Sequence, residues 1–237
     1  SGLLILNDPE TGFPIAVMDA TWITAMRTGA ATAVAAKYLA RTSARTLGIL
    51  ACGVQGRTNL LALREVCANL ETVFAYDTVP ANQQAYVEEM RARTGLKIIG
   101  VARPHEAVVE ADIVVTSGPI LKEPNPIIQP KWFKEGALGV ALDYDSYWKP
   151  EAMAAADKFC TDDIPQLNYY RSLGYFKNIP DLYADLAEIV IGAKPARESD
   201  SERCFAMHLG LAIEDMATAG LILSRAKEKG LGTPLPL

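Results

Sequence analysis

The segment Thr46-Leu-Gly-Ile-Leu-Ala-Cys-Gly-Val-Gln-Gly56 is followed by a second apolar run, Val73-Phe-Ala-Tyr, that ends in Asp77. Together they constrain the fold more than any other feature of the chain. A short apolar run closed by glycines reads as a strand, a tight turn and the start of a helix. The second run reads as a neighbouring strand with a carboxylate at its end. In such a unit the free backbone N–H groups at the helix N-terminus, together with the helix dipole, attract a pyrophosphate. An acid about 20 residues further on takes the ribose hydroxyls. Ala51 stands where the first glycine of G-x-G-x-x-G is expected, so Gly53 and Gly56 carry the motif, with Val54 and Gln55 between them as backbone for the phosphates. The competing reading is a plain strand-to-helix turn, with Asp77 capping the helix after Pro80. The acid repels a 2′-phosphate, so NAD is the expected cofactor. Arg57 and Thr78 leave NADP open, since a cation could swing over the ribose.

The rest of the chain repeats this alternation. Apolar runs at 46–51, 72–76, 97–101, 112–116, 137–142 and 158–160 are separated by helical stretches that include 57–68, 81–93 and 104–110. Parallel neighbours need crossovers, usually helical. The expectation is therefore an α/β fold with a Rossmann-like, doubly wound, mostly parallel sheet. Upstream, Leu3 to Leu6 and Pro14 to Met18 flank Asp8-Pro-Glu-Thr-Gly12 and read as two strands around a turn. An alanine-rich helix is expected from Thr21 to Ala40, with Asp19 or Thr21 as its N-cap. From Arg203 onward a strand and a long helix are expected, the helix stopped by Gly230. The apolar faces of the first strands and helix call for cover that this chain looks too short to supply, so an upstream segment or separate chain is expected.

Composition narrows the partners. Half of the 237 residues are hydrophobic, enough for a large core. The net charge of −5 and the lack of any Lys/Arg run argue against a nucleic-acid surface. Cys52, Cys67, Cys160 and Cys204 form no C-x-x-C pair, which fits reduced thiols better than disulfides or a zinc site. No metal is expected. No apolar run approaches about 20 residues, and no basic-then-apolar leader opens the chain. The expectation is a cytoplasmic protein, without membrane or nucleic-acid partner, that handles a small molecule.

Five blocks, in order, resemble the ornithine cyclodeaminase and mu-crystallin family: Thr24-Ala-Met-Arg-Thr-Gly-Ala30, Ala51-Cys-Gly-Val-Gln-Gly56, Ala111-Asp-Ile-Val-Val-Thr-Ser117, Asp145-Ser-Tyr-Trp-Lys149 and Gly210-Leu-Ala-Ile-Glu-Asp215. The first and last are the most specific, since neither is a general feature of dinucleotide folds. The resemblance implies a two-domain, dimeric protein that uses NAD(P) on amino acids and imines. On that plan residues 1–24 are a remnant of a substrate and dimerisation domain. Residues 25–208 form the dinucleotide-binding domain, and 209–237 return to the first as a helix.

The same resemblance implies roles for single residues. Arg27 becomes a clamp on the substrate carboxylate, which a guanidinium can grip with two parallel hydrogen bonds. Thr28 would touch cofactor or substrate, or only bond its own helix backbone. Asp145 aligns with the family's catalytic aspartate when Lys149 and Glu151 keep their places, and would move a proton at the reacting nitrogen or water. Asp143 is the alternative for that role, and a capping aspartate in a loop is the structural one. Thr116 and Ser117 would pass beside the nicotinamide. Glu214 and Asp215 would orient Arg27 through an ion pair or cap the last helix, while His208, which could face the cofactor ring, is read as a packed or capping residue and given no catalytic role. The loop Leu142 to Trp148 carries aromatics where ornithine cyclodeaminases have glycines and a proline, which argues against ornithine more than against amine or imine redox chemistry. The implied function is NAD(P)-dependent chemistry on a small L-amino acid or its cyclic imine. The alternative is a non-catalytic binder of nucleotide and small ligand, as in mu-crystallin.

Overall fold

The computed structural model describes residues 2–236. It opens with a hairpin of β1 (Leu3–Asn7) and β2 (Pro14–Asp19). In its turn the Asp8 carboxylate accepts the Glu10 and Thr11 N–H groups, and Gly12 takes φ +73. Asx-type capping and a left-handed glycine close the loop without a backbone penalty. Helix α1 (Ala20–Leu39) follows at once, capped by Asp19, which accepts the Thr21 N–H at 3.0 Å.

The alternating elements are β3 (Thr46–Leu50), α2 (Val54–Val66), β4 (Thr72–Tyr76), α3 (Pro80–Thr94), β5 (Lys97–Gly100), α4 (Pro104–Val108), β6 (Ile113–Thr116) and β7 (Leu138–Ala141). After them come α5 (Pro150–Met153), β8 (Lys158–Thr161), α6 (Ile164–Ser172), β9 (Ala184–Asp185), α7 (Leu186–Val190), β10 (Cys204–Met207) and α8 (Ala212–Glu228). Strands β3 to β10 form one sheet of eight in the order β5-β4-β3-β6-β7-β10-β8-β9, with every pair parallel. The chain enters at β3, runs outward through β4 and β5, then crosses to the other side of β3 with β6. That reversal opens a crevice at the carboxyl ends of β3 and β6, where ligands of such sheets bind.

Both faces of the sheet are covered. On one, Leu47, Ile49, Val73 and Val115 pack with Leu60, Leu63, Tyr86 and Met90. On the other, Leu50 and Val114 belong to a cluster with Phe133, Trp148, Phe159 and Phe205. Gly48 sets the spacing on this side: a Cβ there would lie 1.9 Å from the Ala107 carbonyl oxygen. A smaller cluster of Leu6, Ile23 and Ala219 joins the hairpin to α1 and α8.

The structure adds elements that the sequence pattern does not announce. α6, β9 and α7 are short, and their apolar residues show no helical stripe. They are held by local caps instead: Asp163 accepts the Gln166 N–H, and Asp185 and Glu188 form a reciprocal capping box. α2 begins at Val54 and not near Arg57, because its cap is the backbone of Gly53, which has no side chain to betray it.

Candidate active site

The crevice begins with the turn after β3. Ala51 adopts φ +78, so the position that lacks the motif's first glycine keeps a glycine-like backbone. Gly56 is required by packing: a Cβ would lie 2.7 Å from the Ala51 carbonyl oxygen and 3.2 Å from Ile49 Cγ2. Gly53 is the opposite case, with open space where its Cβ would be. It caps α2 without any side-chain hydrogen bond, and the first turn, which holds Val54 and Gln55, carries no acid. An uncapped helix N-terminus behind an open glycine suits a dinucleotide pyrophosphate.

Asp77, just past β4, accepts the Cys52 N–H at 2.7 Å on one oxygen and the Val79 N–H at 2.8 Å on the other. It thereby ties the two strand-end turns together, and each oxygen keeps a lone pair for a ribose hydroxyl. Arg57 is not a loose cation. Its Nε bonds Glu89 at 2.6 Å, its Nη1 bonds the Cys52 and Gly53 carbonyls, and its guanidinium lies over the Tyr86 ring. Thr78 is exposed beside Asp77.

Across the crevice, β6 ends at Thr116. Its side chain is fully buried, donating to Asp143 Oδ1 at 2.8 Å and accepting from Trp148 Nε1 at 3.2 Å. The Thr116 hydroxyl is thus used inward, behind the crevice wall. Ser117 is half-buried and donates to the Ala51 carbonyl at 3.2 Å, joining this loop to the glycine turn. The Gly118 N–H donates to Asp143 Oδ2 at 2.9 Å, and the Tyr147 ring packs so closely that a Cβ on Gly118 would meet it at 2.4 Å.

The two candidate aspartates part company here. Asp143 follows β7 and is wholly buried; burial pushes its carboxyl up to about 7 against the Gly118 and Thr116 hydrogen bonds that favour the charge. Asp145 is half-buried, and burial raises its carboxyl too. Between them Tyr144 turns the chain with φ +61 and anchors among Tyr170, Tyr175 and Phe176. That turn carries Asp145 into the wall of a separate cavity of about 260 Å³, shared with Lys122, Glu123, Phe176 and Lys177. Neither the glycine turn nor α1 lines this cavity.

Arg27 comes from α1. Its Nε donates to Asp215 Oδ1 at 3.0 Å and its Nη1 to Glu214 Oε2 at 3.2 Å, the expected ion pair with the start of α8. Nη2 makes no hydrogen bond among the described residues. Thr28 donates its hydroxyl to the Thr24 carbonyl at 2.8 Å, the backbone bond among its two readings. Beneath the guanidinium lies Gly210 at φ +86, where a Cβ would stand 2.6 Å from Nη1. Burial raises the Glu214 carboxyl, with Arg27 opposing and Asp162 reinforcing that shift.

Two more groups surround Arg27. Asp162, past β8, accepts the Leu209 and Gly210 N–H groups at 2.7 and 2.6 Å and so fixes the turn that leads to α8. His208, past β10, is buried with both ring nitrogens unpartnered among the described residues. Burial holds its pKa below the ordinary value, with Asp162 opposing and Arg27 reinforcing that shift. Sequence reasoning passed over Asp162, because Thr161-Asp-Asp163 looks like a helix cap, and Asp163 is indeed the cap of α6. Only the insertion of β10 between β7 and β8 makes Asp162 and His208 neighbours.

The sequence profile described as the Ornithine cyclodeaminase/mu-crystallin family matches residues 1–230. Alanine dehydrogenase of Archaeoglobus fulgidus is 36% identical over 242 residues, covering 98% of this chain and 73% of that protein. Thermococcus litoralis Delta(1)-pyrroline-2-carboxylate reductase, solved with NADH and L-proline, superposes with a TM-score of 0.86 at 36% identity, over 98% of this chain and 74% of that one. An archaeal alanine dehydrogenase dimer with bound NAD also gives 0.86, at 32% identity over 99% of this chain and 74% of that one. With the all-parallel sheet, the glycine turn beside Asp77 and the paired Arg27 already in place, this chain belongs to the ornithine cyclodeaminase/mu-crystallin family.

Proposed function

We propose that this protein is an NAD-dependent oxidoreductase acting on a small L-α-amino acid or its imine. The observation that carries the reading is the joint placement of two features at the carboxyl edge of the sheet. One is the uncapped α2 N-terminus beside Asp77, and the other is Arg27 with its Nη2 uncommitted. Relatives named alanine dehydrogenase and Delta(1)-pyrroline-2-carboxylate reductase support it. Gly53, Val54, Gln55, Gly56 and Asp77 would hold the dinucleotide, with Ser117 at its border. When bound, the nicotinamide supplies the hydride acceptor or donor. Arg27 would grip the substrate carboxylate and fix the α-carbon, which turns encounter into positioned reaction. Asp143, with both oxygens committed to Thr116 and Gly118, is a positioning residue that holds the β6 loop to β7.

The test is spectrophotometric. NADH consumption is followed with Δ1-pyrroline-2-carboxylate and with pyruvate plus ammonia, and NAD reduction with L-proline and L-alanine. Turnover with at least one pair is expected. Arg27→Ala is expected to lower kcat/KM about 10- to 100-fold, the worth of a charge-assisted hydrogen bond at ~1.5–3 kcal/mol. Asp145→Asn tests the proton-moving role that the family resemblance implies: a loss of about 100-fold or more in kcat supports it, and a rate within about threefold of wild type removes Asp145 from the reaction. NADH binding without turnover across the panel would replace this reading with the non-catalytic binder.

The same proposal includes a homodimer in a reducing, cytoplasmic setting. The cysteines are all free, and an archaeal alanine dehydrogenase is described as a dimer. No helix among the described residues is long and apolar enough to cross a membrane.

A further inference from the structure

Arg57, early in α2, holds the glycine turn from the α3 side. Its Nη1 donates to the Cys52 carbonyl and to the Gly53 carbonyl, the latter at 3.0 Å, and its Nε donates to Glu89 on α3 at 2.6 Å. The other Glu89 oxygen accepts from Arg93 at 2.8 Å, and the hydrogen bonds from Arg57 and then Arg93 hold that carboxyl below its ordinary range. The Arg57 guanidinium lies 5.5 Å from the centre of the Tyr86 ring, which is fully buried. No peptide bond among the described residues is cis. In a trans peptide the C=O and the N–H point opposite ways. With the carbonyls of 52 and 53 drawn to Arg57, the N–H groups of Gly53 and Val54 therefore turn to the opposite side. Neither has a protein acceptor among the described residues, and Gly53 puts no side chain in their way.

Resting on the reading of the α2 N-terminus as the dinucleotide site, we infer that Arg57, latched by Glu89, is a positioning residue for the coenzyme pyrophosphate. It acts through the backbone. By holding two carbonyls it presents the Gly53 and Val54 N–H groups already aimed, so that binding requires no ordering of the turn. The arrangement also answers the alanine at position 51. Asp77 accepts the Cys52 N–H while Arg57 donates to the Cys52 carbonyl, so the residue after the left-handed Ala51 is fixed on both sides. Charge acts in the same sense. A cation near a helix N-terminus is opposed by the dipole; Glu89 offsets that in the free protein, and a bound diphosphate adds a second anion at the same helix end. Joining α2 to α3 would need only Glu89 and Tyr86. The two carbonyl bonds are what tie Arg57 to the coenzyme site.

Binding, measured apart from turnover, tests this. NADH and ADP-ribose are titrated by calorimetry, and adenosine by NMR, into wild type, Arg57→Met and Glu89→Ala. Arg57→Met keeps an unbranched apolar stem beside Tyr86 and loses both carbonyl bonds. It is expected to bind NADH and ADP-ribose about 10-fold or more weakly, while adenosine, which has no phosphate, binds as to wild type. Glu89→Ala releases the latch and is expected to weaken both diphosphates about 3- to 10-fold. On wild type alone, backbone NMR is expected to show the Gly53 and Val54 amide signals moving with ADP-ribose, which needs no variant to fold. ADP-ribose that binds wild type and leaves those two amides unmoved overturns the inference while the coenzyme reading stands. So does Arg57→Met with NADH affinity within about threefold of wild type, or with adenosine weakened by the same factor as NADH, which leaves Arg57 only a part in packing α2 on α3. Failure of wild type to bind NADH at all defeats the coenzyme reading and this inference together.

Discussion

A single methyl group separates position 51 from the glycine its backbone calls for. At φ +78 the Ala51 Cβ crowds the following carbonyl, at a cost of about 1 kcal/mol, partly offset because glycine gains more freedom when unfolded. Ala51→Gly is therefore expected to raise the thermal midpoint by ~1–3 °C in calorimetry and leave NADH binding unchanged. Gly56→Ala goes the other way. Its Cβ meets the backbone of the same turn, so a loss of about 1–3 kcal/mol and weakened NADH binding are expected together.

Asp143 predicts a pH dependence of the opposite sense to most carboxylates. Its folded pKa, about 7, lies above the ordinary value of 3.8, so the folded state binds the proton more tightly than the unfolded one. The stability it contributes is full below about pH 4 and is lost as pH rises through about 7, at ~1.4 kcal/mol per pH unit at most. Asp143→Asn carries no such titration. Thermal melts of both proteins from pH 4 to 8 are expected to show the variant gaining on wild type as pH rises, and parallel curves would contradict it. Of these residues Gly53, Gly56 and Asp77 were expected from short spacings, and Arg27 only from the family resemblance. His208 and Asp162 were not, because each looks ordinary until its neighbour is known.

At the scale of elements, the other end of the sheet is fastened by one carboxylate. Asp112, at the threshold of β6, accepts the Arg45 and Thr46 N–H groups at 2.8 and 3.0 Å and pairs with Arg41 and Lys134. It thus pins the loop after α1, the start of β3 and β6 to one another. Burial opposes its charge, yet Lys134, the Arg45 N–H and Thr46 outweigh it and hold the carboxyl well below the usual range. A depressed folded pKa means stability present above about pH 4 and lost as pH falls. Asp112→Asn is expected to cost ~2–4 kcal/mol at pH 7, with the gap to wild type closing below pH 4 in denaturant titrations. The strands themselves were readable because a doubly buried strand is a bare apolar run. The helices α6 and α7 were not, since caps and aromatic contacts hold them in place of a periodic stripe.

At the scale of the whole molecule, the hairpin is apolar on both sides. Leu4, Leu6, Ala16 and Met18 face α1 and α8, while Leu3, Ile5, Ile15 and Val17 face outward, 46–78% exposed. Ile213 and Met216 on α8 and Trp22 on α1 are exposed as well. A surface of this kind marks an interface. If a second copy covers it, the double variant Ile5→Asp, Val17→Asp is expected to sediment as a monomer where wild type sediments as a dimer. Intact-mass measurement of the native protein distinguishes that from an upstream segment or separate chain on the same face.

By itself the sequence determined the strand-helix alternation, the parallel sheet it requires, the glycine turn and the acid that follows it, since each of these is enforced by residues close together in the chain. Tertiary structure alone decided that β10 enters between β7 and β8, so that the strand-end turn after β10 is held by Asp162 beside Arg27, and that the chain turns left-handed at Tyr144, ahead of Asp145. Strand order and loop path depend on packing between residues far apart in sequence, and no local pattern encodes that balance.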